Sequence, residues 1–161
     1  MATKVRYGYA AKLYFGNGSA TPTLTEIANV REVKVGITPE EIDAWVRASG
    51  FLKTTEPGGA VVEVTGKIRA DENDTSGFLA MRTAVLTAGG GSGLDVVALN
   101  GSNTETGVVG IRFTGKVTMF PSDQDNAGIQ YHEFALKPCI SELKFQKVSV
   151  VNSVATYTDL N

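Results

Sequence analysis

A chain of 161 residues with 42% hydrophobic and 20% charged side chains has the size and make-up of one globular domain, able to bury roughly two thirds of its unfolded surface without staples. Fifteen Lys and Arg against seventeen Asp and Glu leave a net charge of -2, the wrong sign for a protein that gains affinity by neutralising phosphates, so tight nucleic-acid binding is excluded. The lone Cys139 closes no intramolecular disulfide, no run reaches the ~20 apolar residues of a membrane span, and "MATKVRYGYAAKLYFG" lacks a secretory apolar core, so synthesis and residence in a cytoplasm are expected.

Residues 30–37 alternate, with Val33, Val35 and Ile37 on one parity and Glu32, Lys34 and Gly36 on the other, which predicts a strand with one wet face. Residues 61–69 repeat the pattern: Val62, Val64 and Ile68 oppose Glu63, Thr65, Lys67 and Arg69. Between them lies "ITPEEIDAWVRASGFLKTTEPGG", which carries the only tryptophan. Thr38 before Pro39, with Glu41 three residues on, is a capping-box signature, and Ile42, Trp45 and Val46 fit helical spacing. Read locally, a short helix starts there. Only about ten residues precede Gly50, however, too few to stay helical in water without packing, so context decides the shape. A bare loop of roughly 20 residues bearing Trp45, Phe51 and Leu52 would be unusual in a compact domain, and the segment is expected to dock on something.

"DENDTSGFLAMRTAVLTAGGGSG" predicts a helix over about residues 75–88. Asp71, Asp74, Thr75 and Ser76 are possible N-caps, Phe78, Met81, Val85 and Leu79, Leu86 keep helical spacing, and Gly89 opens a glycine stop. A short apolar strand follows at 94–99. In "GIRFTGKVTMF" the apolar Ile111, Phe113, Val117 and Met119 oppose Arg112, Thr114, Lys116 and Thr118, so this strand too is expected to have one solvent-facing side. The polar turn "PSDQDNAG" then leads into "IQYHEFALKP", completing a hairpin with a long tip. There Ile129 and Tyr131 are odd but Phe134 and Leu136 even, which predicts a β-bulge near His132 and Glu133. "LKFQKVSVV" shows a similar shift between Leu143, Phe145 and Val148, Val150 and reads as a further irregular strand. The architecture is mainly β, with one amphipathic helix covering an end or face of the sheet.

Catalytic chemistry finds little purchase. The single His132 sits inside a predicted strand with no Gly-x-Ser-x-Gly elbow, and one His and one Cys cannot complete a structural zinc sphere. "DENDTSG" lacks the twelve-residue spacing of a calcium loop, and helix capping explains Asp71 and Asp74. "GNGSATPT" and "GGGSG" lack the endings of phosphate-binding loops, and Glu40, Glu41, Asp123 and Asp125 read as solvated surface rather than a carboxylate pair across a cleft. No enzyme, no cofactor and no metal are expected.

In order, "KLYFGNGSA", "LTEIANVREVKVGI", a long intervening segment, "VVEVTGKIRADENDTSGFLAMRTAVLTAG" and the hairpin over 107–138 together resemble the major tail tube proteins of long, non-contractile bacteriophage tails. The resemblance covers roughly residues 12–139. It implies a β-sandwich or barrel-like sheet over 1–140 flanked by the helix, with an arm at 38–59 between the second and third strands, and an extension at 141–161 as an added strand or tail. It further implies a virion structural protein whose six-membered rings stack into a tube for DNA ejection. The implied partners are further copies of the chain, the tape measure and tail terminator proteins, and double-stranded DNA passing without sequence-specific binding. Ile42, Trp45, Val46, Phe51 and Leu52 would then bury against another copy, the alternative being that they fold back over their own sheet edge. Glu63 and Lys67, or Arg112 and Lys116, are candidates to face the lumen. Two other readings stay open: a tube protein of a contractile injection or secretion device, and a monomeric β-sandwich module that binds carbohydrate or protein.

Overall fold

The computed structural model describes residues 11–45, 53–87, 93–121, 128–139 and 146–159, with the backbone alone described over 40–60. Nine strands and one helix follow in the order β1 (Lys12–Gly16), β2 (Thr25–Glu26), β3 (Val30–Trp45), β4 (Lys53–Arg69), α1 (Phe78–Leu86), β5 (Leu94–Leu99), β6 (Val109–Met119), β7 (Tyr131–Pro138), β8 (Gln146–Val151) and β9 (Val154–Asp159). All pairings are antiparallel, and the main path runs β2-β1-β5-β6-β7-β4-β3. The fold is mainly β with a single helix among the described residues, as the alternation and capping signals predict.

The sheet forks at β6. One edge of β6 pairs with β5 from Gly110 to Gly115; the other edge is shared, with β8 from Val109 to Arg112 and β7 from Gly115 to Met119. At Gly110, flanked by Leu99 and Val148, a Cβ would collide with the Ala98 carbonyl oxygen, so only glycine admits this approach. β9 then pairs only with β8, across a two-residue turn in which Asn152 and Ser153 both have positive φ, the geometry that matches strand twist.

Strand parity and the fork together create two cores. Leu13, Phe15, Val96, Ala98 and Phe113 join Val62, Val64, Ile68, Phe134 and Leu136, with Phe78 and Met81 of α1 packed over them. The opposite faces of the same β1 and β5 send Tyr14, Val97 and Leu99 into a second cluster, closed by Val108, Val148 and Val150. β1 and β5 are therefore buried on both sides, and the β8–β9 hairpin supplies part of the second covering layer.

Three expectations are corrected. β6 has no wet face through its middle, because the second core buries Arg112 and Thr114. β7 pairs with β4 from Arg69↔Tyr131 to Val64↔Leu136 without a shift, so there is no bulge near His132 and Glu133 in that ladder. The reason is that His132 shares the core-facing parity of Phe134 and Leu136, its ring stacking on Phe120 at 4.9 Å and meeting the edge of Phe78 at 5.1 Å; the irregularity lies instead in the β6–β7 register between Val117 and Met119. Finally, the capping signals at Thr38 and Glu41 do not start a helix. Both residues lie in β3, whose pairing with β4 continues to Trp45↔Lys53, and cross-strand hydrogen bonds outbid a marginal local preference.

Candidate interaction surfaces

Hydrogen bonding, ion pairing and packing divide this surface into parts that are complete within one chain and parts that are not. The most complete region is inside. Arg112, fully buried, donates Nε to Asp95 Oδ1 and Nη2 to Asp95 Oδ2, each at 2.9 Å, a bidentate fork. Its Nη2 also reaches the Ser19 carbonyl at 2.7 Å, Nη1 donates to Gln146 Oε1 at 3.1 Å, and the guanidinium lies over the Tyr157 ring at 5.0 Å. Asp95 accepts a further bond from the Gly18 N–H at 2.9 Å, and Gln146 Nε2 donates onward to Asp159 Oδ1 at 2.9 Å. Burial holds the Tyr157 phenol above its ordinary value, against the opposing pull of the Arg112 guanidinium. The network ties the loop after β1 to β5, β6, β8 and β9. No part of it is available to a lumen, which removes Arg112 from the candidates for that role.

The outward face of β3, β4 and β7 is polar and paired. Lys67 lies 3.4 Å from Glu32 and 3.8 Å from Glu133, and Lys137 lies 3.5 Å from Glu63. Exposed pairs of this kind add little stability, yet each places a carboxylate beside a cation. Glu63 and Lys67 thus keep the wet face that their parity predicts.

The incomplete regions are apolar. Opposite residues in an antiparallel ladder share a face, so Val35 and Ile37 lie on the side of their partners Val64 and Val62. Val62 and Val64 are buried, but Val35 is half-exposed and Ile37 is 57% exposed, so the apolar face of the sheet runs on past the core. Beyond the last β4–β7 pair at Val64↔Leu136, β3 and β4 continue together to Trp45↔Lys53, roughly 35 Å at ~3.3 Å per residue. Ile42 and Trp45 lie in that outer ladder. Val46, Phe51 and Leu52 lie outside the described residues, as do Asp123, Asp125, Leu143, Phe145 and the glycine stop at Gly89.

A second apolar region lies at the end of α1, which begins after the Asp71–Asp74 turn. Asp74 Oδ1 accepts from Gly77 N–H at 2.9 Å and Oδ2 from Phe78 N–H at 3.3 Å, satisfying helix-start donors that would otherwise be orphaned. Burial pushes the Asp74 carboxyl up, but these N–H groups, the Asn29 amide and the Ser76 hydroxyl outweigh it and hold the group below its ordinary value. Asp71 is likewise engaged, accepting from Asn73 N–H at 3.0 Å and pairing with Arg69 at 3.2 Å. Only the first half of α1 packs inward, through Phe78 and Met81. Val85 is half-exposed and Leu86 is 73% exposed, although their spacing predicts a core face. With Phe78, Phe120, His132 and Arg82 they line an open depression of about 620 Å3, bordered by Glu72 and Ala70. Sequence periodicity misses this surface, because it marks a side chain as apolar without saying whether anything covers it.

Among the described residues no cluster of His, Cys, Asp and Glu could hold a metal ion, and no helix is long and apolar enough to cross a membrane.

No family model matches the sequence, and no curated protein matches it. Solved structures do. A chain of the virion of a native gene transfer agent particle is similar over 96% of this chain and 99% of its own, at 12% identity with a TM-score of 0.60. A chain of the tail of an empty gene transfer agent particle, refined with helical, C6 symmetry, is similar over the same shares, at 12% identity and a TM-score of 0.63. The SPP1 tail tube is similar over 92% of this chain and 82% of its own, at 11% identity and a TM-score of 0.65. The fold described above is therefore the fold of these tail proteins, matched over nearly the whole chain.

Proposed function

We propose that the chain is a structural subunit of a phage tail tube of the long, non-contractile type, without catalysis or cofactor, closing into six-membered rings that stack into a conduit for DNA ejection. The observation that carries this reading is the match in fold along almost the full length of both the chain and its structural neighbours, one of which is a tail with C6 symmetry. Ring closure and stacking need surfaces that are unfinished in one copy, and the outer β3–β4 ladder and the end of α1 have that character. In this reading Ile42, Trp45, Val46, Phe51 and Leu52 bury against another copy, the protein resides in the virion tail after synthesis in the host cytoplasm, and tape measure and tail terminator proteins meet the ends of the tube. A net charge of -2 suits a wall that lets a polyanion pass without holding it.

Size-exclusion chromatography with light scattering, followed by negative-stain microscopy of concentrated protein, tests the proposal. Hexamers, rings or tubes support it, and a monomer at every concentration sinks it in favour of a binding module. Replacing Trp45 and Phe51 together by Ser is expected to abolish tubes and leave a folded monomer with unchanged circular dichroism. Undiminished polymerisation would assign both residues to the interior of their own chain.

A further inference from the structure

We infer that the depression at the end of α1 is the receptor for the outer β3–β4 hairpin of a second copy, the part bearing Trp45, so that copies join head to tail. The inference rests on the tube reading and names the surface that reading leaves open.

The first support is placement along one strand. β4 spans 17 residues, beginning at Lys53, the partner of Trp45, and ending at Arg69. Ala70 and Glu72, which border the depression, follow directly, and Gln130 and His132 on its wall belong to the end of the β4–β7 ladder at Arg69↔Tyr131. Sixteen steps of ~3.3 Å place the hairpin end and the depression at opposite ends of a strand ~50 Å long. A chain cannot bring these two ends of its own ladder together, whereas a neighbour offset by one subunit can. A contact between two different surfaces also leaves one of each unfilled at the ends of the chain of copies, which is the arrangement that propagates.

The second support is chemistry. The depression combines exposed Leu86 and Val85 with the rings of Phe78, Phe120 and His132, a lining suited to aromatic and aliphatic side chains. At its border stands the acidic turn holding Asp71, Glu72 and Asp74, with the Glu72 carboxylate 3.6 Å from Arg82 and well exposed. From Ala44 to Lys53 the sequence is apolar or small apart from Ser49, Arg47 and Lys53, and carries no carboxylate. An aromatic, cationic hairpin end thus complements an apolar depression with an acidic border.

Two engineered cysteines test this in a Cys139→Ser background. Protein with Trp45→Cys is mixed with protein carrying Leu86→Cys, allowed to assemble and oxidised with diamide. A cross-linked dimer in the mixture, absent from either protein alone, is the expected result, and placing both substitutions on one chain should give a ladder of oligomers. An intramolecular cross-link, seen as a fast-migrating monomer, would overturn the inference. So would wild-type tubes whose cysteine variants assemble but never cross-link, an outcome that leaves the tube reading standing. A wild-type chain that never assembles sinks the tube reading itself, whatever the mixture shows, and a mixture without cross-links then sinks the pairing as well. As a second measurement, Leu86→Glu should raise the concentration needed for assembly by about tenfold or more with the folded monomer retained; unchanged assembly would overturn the inference.

Discussion

Arg112 and Leu86 have exchanged the places their chemistry would assign. The guanidinium is wholly buried and the leucine is 73% exposed, yet only the second is unresolved within the chain. Arg112 finds a carboxylate, a carbonyl, an amide oxygen and an aromatic ring, each from a different part of the fold, so its burial is compensated locally. Leu86 and its neighbours around the depression have no such compensation. The contrast separates what this chain needs in order to fold from what it keeps for contact: the polar residue in the interior specifies the monomer, and the apolar residues outside specify what the monomer meets.

The largest effect is expected where compensation is removed. Arg112→Ala leaves the Asp95 carboxylate buried opposite a gap and should cost about 3–5 kcal/mol in chemical denaturation, enough to unfold most of the population of a marginal domain. Pairing Arg112→Met with Asp95→Leu removes both charges and should cost less than Arg112→Ala alone. If the double variant proves worse, the network is stabilising in its own right and the comparison must be redrawn. A smaller effect is expected at Asp74, which anchors the start of the helix that carries Leu86. Asp74→Ala should lose about 1 kcal/mol at neutral pH. Because the folded-state pKa is lowered, the contribution is full above the ordinary value of 3.8 and disappears as pH falls through the lower folded value, so wild type and variant should converge in acid. Denaturation curves between pH 7 and pH 2 would show it, and a gap that widens on acidification would contradict the assigned sign. The smallest change in stability is expected at Leu86→Ser, within about 0.5 kcal/mol, because the side chain has little burial to lose. A loss well beyond that would mean the leucine already packs within its own chain.

The same contrast explains how far the sequence could be read. The alternations at 30–37 and 61–69 and the helix signals near Asp74 are local, and each corresponds to an element of the structure. Parity correctly grouped Val62, Val64 and Ile68, but it reports which residues share a face, not whether that face is covered. Arg112 and Thr114 were therefore read as wet, although β8 and β9, some 35 to 45 residues later, take part in closing the core beside them. β9 escaped notice because "VATYTD" offers weak alternation and its strand exists only through pairing with β8. His132 was assigned by its polarity to the wrong face, whereas its ring packs like an aromatic. In the 38–59 segment a genuine capping signature lost to a long ladder, a contest between local and cross-strand hydrogen bonds that composition alone does not decide. The depression beside α1 left no linear trace, since its walls come from three separate stretches of chain.

The fork at β6 has a mechanical consequence. With β5 bonded along one edge and β8 and β7 sharing the other, a pull on any of these three is resisted by hydrogen bonds that converge on a single ribbon, loaded in shear and breaking together rather than unzipping one by one. A wall built from such units would be stiff to stretching while bending at its seams.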